Sequence, residues 1–98
     1  MKDVKRLEIV IDAAHTPELI TALKATNAPG YTLLRDVHGA GDRGDRAGDG
    51  LGNVFRNCYV ILAIADDPTV QAVIDAVRPL IQAHGGMCLM SEAKWLKH

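Results

Sequence analysis

An internal repeat limits the folds that are open to this chain. When the sequence is shifted by 51 positions, position 16 meets position 67, so that Thr16-Pro17 falls on Asp67-Pro68, and the apolar residues that follow also coincide. A Thr or Asp before Pro favours a helix start, because its side chain caps a backbone N–H and Pro fits the first turn. Thr16 and Asp67 are therefore predicted to cap two equivalent helices.

The elements around these helix starts are predicted from the spacing of apolar residues. Alternation predicts a strand over residues 4–12, and β-branched and aromatic side chains predict a long strand over 54–65. Further strands are predicted over 31–37 and, shorter, over 87–90, and helical spacing predicts helices over 17–27 and from 67 to about 85. Pro79 predicts a kink or an early end of the second helix. The order β-α-β-β-α-β is the ferredoxin-like arrangement of the α+β class, with two helices on one face of a four-stranded antiparallel sheet.

Composition indicates a small folded protein with few charge-driven partners. The 98 residues form a single domain, because so short a chain cannot build a second hydrophobic core. Eleven basic residues stand against twelve acidic ones, which leaves no positive surplus for binding nucleic acid or anionic lipid. The apolar stretches are shorter than the roughly 20 residues of a membrane span, and the first residues do not form a signal peptide, so we expect a cytoplasmic protein.

The third predicted strand is apolar on both of its faces. One face carries Cys58, Val60, Leu62 and Ile64, and the other carries Tyr59, Ile61, Ala63 and Ala65. Since the helices cover only one face of the sheet, we expect the other face to pack on a second copy of the chain, which predicts a homo-oligomer. Cys58 and Cys88 lie in apolar runs, and we interpret them as buried small residues without a disulfide, metal or catalytic role.

A polar loop over residues 39–53 joins the second and third strands. It holds six of the nine glycines, three aspartates and two arginines. Adjacent antiparallel strands need only a few connecting residues, so this length indicates either a function or a flexible insertion. Four interpretations of this loop are open: a solvated insertion, a calcium loop, an Arg-Gly-Asp tripeptide, and an anion-binding or partner-docking loop. Composition favours the last, because glycine amides can approach phosphate while Arg43 and Arg46 supply charge.

Several segments resemble the PII signalling proteins. Gly30-Tyr31-Thr32 enters a strand, Val37-His38-Gly39-Ala40-Gly41 leaves it for the long loop, and Gly85-Gly86 precedes the last strand. The resemblance covers nearly the whole chain, and its most specific part is the Val-x-Gly-x-Gly step at the base of the loop. It implies a homotrimer of ferredoxin-like subunits, nucleotide-binding clefts between neighbouring subunits, and a flexible T-loop that docks on a target protein. It implies no catalysis.

The resemblance also implies two groups of nucleotide-binding residues. The group at the loop base comprises Gly39, Gly41, Asp42 and Arg43. The group that reaches the phosphates consists of a turn and of C-terminal cations, and it comprises Gly85, Gly86, Met87, Lys94 and Lys97.

Two departures from the family pattern make the chain similar to a divergent PII-like group linked to bicarbonate uptake and carboxysomes. The usual Gly-Asp-Gly-Lys turn is shortened to Gly85-Gly86-Met87, and the sequence stops soon after Lys97. Members of this group bind AMP or ADP, some with bicarbonate, and a mono- or diphosphate needs fewer cations than a triphosphate. The resemblance therefore implies AMP or ADP as a ligand that is not covalently bound, and bicarbonate as a second ligand.

The same resemblance implies candidates for binding the bicarbonate anion and for the target. The anion candidates are His38, Gly41, Arg43 and Arg46. The implied target belongs to inorganic-carbon metabolism, such as a bicarbonate transporter or a carboxysome-associated protein.

The remaining ligand-type residues are scattered along the sequence. His15, His38, His84 and His98 show neither metal-ligand spacing nor a catalytic-triad order, so we predict no metal site and no enzyme. Trp95 is interpreted either as packing of the C-terminal tail or as an aromatic wall for adenine. Two alternative functions are kept: a metal-binding or purely structural trimer of the same fold, and a small amino-acid-binding module.

Overall fold

Six strands and two α-helices make up the described part of the chain, which is residues 1–37, 40–41, 44–45 and 56–96 of a computed structural model. In chain order they are β1 (Lys2–Asp12), α1 (Thr16–Lys24), β2 (Thr32–Val37), β3 (Ala40–Gly41), β4 (Gly44–Asp45), β5 (Asn57–Ile64), α2 (Asp67–His84) and β6 (Met87–Trp95). A 3-10 turn, Ala13–His15, links β1 to α1. No helix in these ranges is long and apolar enough to cross a membrane.

Four of the strands form one antiparallel sheet in the order β2-β5-β1-β6. The central strand β1 pairs with β5 from Lys5↔Ile64 to Asp12↔Asn57, and with β6 from Lys2↔Trp95 to Val10↔Met87. β3 and β4 pair only with each other, as a short ribbon between β2 and β5. The main elements therefore follow the predicted β-α-β-β-α-β order, and the ferredoxin-like fold is confirmed.

Both helices pack on one face of the sheet and form the hydrophobic core there. The core residues from the sheet are at most 2% exposed: Leu7, Ile9 and Ile11 of β1 and Cys58, Val60, Leu62 and Ile64 of β5. They form one cluster with Leu19, Leu23, Val70, Val73 and Val77 of the helices. Burying one such side chain stabilises the fold by about 1.5–3 kcal/mol relative to leaving it exposed. This face therefore provides most of the driving force for folding.

The other face of the sheet, here called the open face, carries no helix of the described chain. It presents Val10, Glu8 and Arg6 of β1, Tyr59 and Ile61 of β5, Leu34 of β2, and Met87, Leu89 and Trp95 of β6. Leu34 and Leu89 are 50% and 52% exposed, and Met87 and Trp95 are each 45% exposed. Exposed apolar side chains on a sheet face are typical of a contact surface.

The two cysteines differ in burial. Cys58 lies in the core, as predicted, whereas Cys88 is only half-buried on the edge strand β6. Burial raises the pKa of the Cys88 thiol. Both thiols are free.

The helix starts differ from the predicted ones. Asp66, not Asp67, caps α2, and its carboxylate accepts a hydrogen bond from the Thr69 N–H at 3.0 Å. At α1 the 3-10 turn takes up the chain reversal, and Asp12 caps that turn by accepting from the Ala14 N–H at 2.9 Å. Thr16 is instead buried as the first residue of α1, and its hydroxyl has no hydrogen-bond partner within the described residues. The prediction that Thr16 and Asp67 act as caps is therefore wrong, although both helices begin where the repeat places them.

Two element ends also differ from the predicted ones, and each has a local cause. α1 ends at Lys24 and not at residue 27, because the Thr26 hydroxyl donates to the Leu23 carbonyl at 2.7 Å and closes the helix with a turn. β6 continues to Trp95, well beyond residue 90. Residues 91–95 have the composition of a polar tail, although they belong to β6, because β6 is an edge strand, where polar side chains are common.

Pro79 does not end α2, so the prediction of an early end is wrong. The helix continues to His84, five residues beyond the proline. Pro79 removes the bond that the Asp75 carbonyl would accept, and both residues lie on the exposed side of α2. Water can therefore hydrate the free carbonyl, which reduces the cost of the proline.

Candidate functional site

Contacts between the end of β2 and the start of β5 fix the position of the backbone just before the predicted loop. Pairing with β5 shifts register between Leu34 and Val37, and Asp36 has φ +59°, which is uncommon for a residue with a side chain. The Asn57 amide donates to the Val37 carbonyl at 3.1 Å, and Arg56 Nη1 donates to the Asp36 carboxylate at 3.5 Å. These contacts hold the last residue of β2 against the first residue of β5.

Only a small part of the loop itself lies within the described residues. Gly41 of β3 pairs with Gly44 of β4, and Ala40 pairs with Asp45, so the loop contains a short antiparallel ribbon that the sequence did not predict. The other candidates of the loop and the tail, which are His38, Gly39, Asp42, Arg43, Arg46 and Lys97, lie outside the described residues. Their assigned roles remain predictions.

Gly85 and Gly86 connect α2 to β6; both have backbone conformations that favour glycine, and Gly86 also packs against β1. Their φ angles are +79° and +112°. The Gly85 N–H donates to the Ile81 carbonyl at 2.8 Å and closes α2. A Cβ atom on Gly86 would lie 2.3 Å from the Val10 carbonyl oxygen, so this backbone packs directly on β1. The turn sets the Val10↔Met87 register with which β6 begins.

The glycine turn and the loop base lie at the same end of the sheet. Strand pairing leads from Met87 to Val10, from Asp12 to Asn57, and from Asn57 to Val37, so the start of β6 and the end of β2 lie at the same end of the sheet, on its two opposite edge strands. Three strand spacings separate them, which is about 14 Å. The turn Gly85-Gly86-Met87 and Val37, the last described residue before the loop base, are thus brought to one end of a single subunit.

Lys94 lies at the opposite end of the sheet. Lys94 follows Gly86 by eight positions along this extended segment, which corresponds to about 26 Å. Lys94 Nζ pairs with the carboxylate of Asp3 on β1, and this hydrogen bond lowers the pKa of Asp3 and raises that of Lys94. The lysine side chain is 64% exposed, so it can exchange this partner for another anion at little cost. Within one subunit, Lys94 and the glycine turn cannot contact the same phosphate.

The structure also brings together three residues that were not predicted as a site. His15, Glu18 and His84 meet where the start of α1 lies beside the end of α2. The two histidines are separated by 69 positions (84 minus 15), so no local spacing could reveal the cluster.

The fold and the glycine turn at one end of the sheet are those of a small ferredoxin-like protein of the α+β class. The model of the family "nitrogen regulatory protein P-II" matches residues 4–97, and the chain therefore belongs to this family. The resemblance to PII proteins that the sequence suggested is confirmed. No curated protein sequence matches the chain.

Solved structures of PII-like proteins are similar in fold. CPII from Thiomonas intermedia K12, bound to ADP and bicarbonate, has a TM-score of 0.77 and 23% identity, over 93% of this chain and 86% of that chain. A putative PII-like signalling protein from Thermus thermophilus has a TM-score of 0.68 and 18% identity, over 94% and 88%. The GlnK–ATP complex of B. subtilis has a TM-score of 0.67 and 18% identity, over 95% and 84%.

Proposed function

We propose that the chain is a PII-like signalling protein that binds AMP or ADP, together with bicarbonate, in clefts between the subunits of a homotrimer. The loop over residues 39–53 acts as the T-loop and regulates a target protein of inorganic-carbon metabolism. The observation that supports this function is the placement of the glycine turn and the loop base at one end of the sheet. The similar CPII structures were solved with ADP, AMP and bicarbonate, which supports the choice of ligands.

Two features favour a cleft between subunits over a pocket within one. Lys94 lies about 26 Å from Gly86 along β6, so it can join the phosphate site only if it comes from a neighbouring subunit. The open face also exposes Leu34, Leu89 and Trp95, which a second subunit would cover. A trimer explains both features, because it buries the open faces and can bring the Lys94 end of one sheet to the glycine turn of the neighbouring subunit.

The glycine turn favours a short phosphate chain. Met87 follows Gly86 at once and starts β6, so the turn carries no lysine. A mono- or diphosphate needs fewer cations than a triphosphate, whose third phosphate adds charge that this turn has no lysine to neutralise. We therefore expect AMP or ADP to bind more tightly than ATP.

Ligand binding is tested by a thermal-shift panel of AMP, ADP, ATP, cyclic AMP and 2-oxoglutarate, each with and without bicarbonate. A ligand at one hundred times its Kd stabilises the folded protein by about 2.7 kcal/mol. For a domain of this size that is a rise in Tm of several degrees. We expect ADP or AMP to raise Tm, and bicarbonate to increase the rise. If no nucleotide raises Tm, the proposed function is wrong.

The loop-base assignment is tested by Gly41→Val. A β-branched side chain at the nucleotide cleft is expected to abolish the ADP-dependent rise in Tm while the trimer persists in size-exclusion chromatography. Gly44→Val is the matched control, because Gly44 pairs with Gly41 in the ribbon but is not assigned to the cleft. Equal loss of ADP binding in both variants would mean that binding depends on the β3–β4 ribbon and not on Gly41 itself.

Signalling through the loop is tested by limited trypsin digestion at Arg43 and Arg46. If nucleotide acts by ordering the loop, saturating ADP slows cleavage after these arginines more than cleavage after Lys24, at the end of α1. Mass spectrometry of the early fragments measures both rates. Rates that do not change with ADP would contradict a ligand-controlled loop.

A further inference from the structure

Three ligand-type side chains converge between the two helices. His15 ends the 3-10 turn, Glu18 lies in the first turn of α1, and His84 is the last residue of α2. His15 Nδ1 lies 3.0 Å from Glu18 Oε1, and His84 Nε2 lies 3.5 Å from Glu18 Oε2. The imidazole rings are stacked, with centroids 3.5 Å apart and planes 13° from parallel. Both rings thus direct a nitrogen at the same carboxylate.

These distances approach those of a metal centre. One ligand atom from each residue lies within 4.8 Å of the other two. In a tetrahedral zinc site with bonds of about 2.0–2.2 Å, ligand atoms lie about 3.4 Å apart. The two contacts to Glu18 already have nearly this spacing. An imidazole binds a metal ion in the plane of its ring, so the two stacked rings would turn out of their parallel arrangement to place all three ligand atoms around one ion.

We propose that His15, Glu18 and His84 bind a divalent transition-metal ion, with Zn²⁺ as the best match and water as the fourth ligand. Two imidazoles and one carboxylate form a donor set of open zinc sites. Mg²⁺ and Ca²⁺ prefer oxygen ligands and are poorly served by two nitrogens. This inference goes beyond the proposed function and does not depend on nucleotide binding.

Exposure and charge are suited to an ion that enters from solvent. The His15 and His84 side chains are 26% and 28% exposed, and Glu18 is 51% exposed, which leaves room for water. Metal ligands must be deprotonated. A hydrogen bond with His15 lowers the pKa of the Glu18 carboxyl, which favours its ionised form.

The site would join distant parts of the chain. The ion would link the residues before α1 to the last residue of α2, and Gly85 follows directly. A cross-link in the folded state stabilises it by mass action, because the unfolded chain does not preform the site. Zn²⁺ is therefore expected to raise Tm.

Zn²⁺ binding to the full chain, measured by isothermal titration calorimetry without nucleotide, tests the proposal. We expect one ion per chain. Loss of an outer-shell partner already weakens metal binding about 10- to 100-fold, so Glu18→Gln and His84→Gln are expected to weaken it at least tenfold. Asp75→Asn removes the same charge from an exposed helix position, and His98→Gln removes another histidine. Both controls should bind Zn²⁺ like the unsubstituted protein.

Co²⁺ absorption identifies the ligands, and circular dichroism verifies that each variant is folded. We expect the visible bands of a four-coordinate nitrogen and oxygen site, without a thiolate charge-transfer band. The proposal is overturned if Zn²⁺ does not bind, if the Glu18 and His84 variants bind it unchanged, or if a thiolate band shows cysteine ligands. In each of those cases the cluster is a hydrogen-bonded contact between helices only. Because no nucleotide is present, failure of the proposed nucleotide binding would not affect this result.

Discussion

The Gly86→Ala variant is expected to unfold at a much lower urea concentration than the unsubstituted protein. Its Cβ atom would lie 2.3 Å from the Val10 carbonyl oxygen and 3.3 Å from the Ile11 Cα atom, both of which are backbone atoms of the central strand. Alanine is also strained at the Gly86 φ of +112°. Backbone strain and overpacking each cost about 1–3 kcal/mol, so we expect a loss of about 2–6 kcal/mol in the free energy of unfolding.

Gly30→Ala is the matched control for this prediction. A Cβ atom at Gly30 has no neighbour within 4 Å, and Gly30 has no positive φ angle. Alanine there reduces the entropy of the unfolded chain and is expected to stabilise the protein by about 0.4–1 kcal/mol. Urea unfolding of both variants at one protein concentration measures the difference. Similar midpoints for the two variants would show that the turn between α2 and β6 does not pack on β1 as described.

The Leu89→Glu variant is expected to be a monomer. Leu89 is 52% exposed on the open face and lies opposite Glu8 of β1. Glu8 already accepts a hydrogen bond from the Tyr59 hydroxyl at 2.8 Å and pairs with Arg6 at 3.1 Å, so a second carboxylate would have no free cation beside it among these residues. A buried charge without a partner costs about 3–5 kcal/mol, and a trimer would bury three of them.

Analytical ultracentrifugation measures the effect of Leu89→Glu. Ala72→Glu is the control, because it adds the same charge at an exposed position of α2 and should leave the trimer intact. The far-ultraviolet circular dichroism of both variants should match that of the unsubstituted protein, since neither residue belongs to the core between sheet and helices. A trimeric Leu89→Glu variant would show that the open face is not the subunit interface.

The fold could be predicted from the sequence because its signals are local. The alternation of β1 and the helical spacing of apolar residues in α1 and α2 report burial on one face, because burial follows the period of each element. The predictions failed at positions where exposure to solvent determines which residues a helix or a strand tolerates. Pro79 is tolerated because the carbonyl it frees lies on the exposed side of α2, and the last residues of β6 are polar because an edge strand needs no apolar pattern.

The site could be predicted only in part. Gly85 and Gly86 were predictable because positive φ angles and a close backbone contact leave no other residue type. The sequence could not show that Lys94 and Gly86 lie at opposite ends of one strand, since that separation follows from the extended course of β6. The cluster of His15, Glu18 and His84 was missed for a related reason, because only the packing of α1 beside α2 brings it together.

The irregular end of β2 has a consequence for how such proteins diversify. Asn57 is 3% exposed, and its amide binds the Val37 carbonyl, so the two ends of the loop are fastened to each other at the rim of the sheet. The strands on either side of residues 38–55 are thus held in register by contacts outside that segment. Insertions, deletions and exchanges within it are therefore expected to leave the fold intact, and chimaeras that carry the segment of a relative should fold like the parent protein.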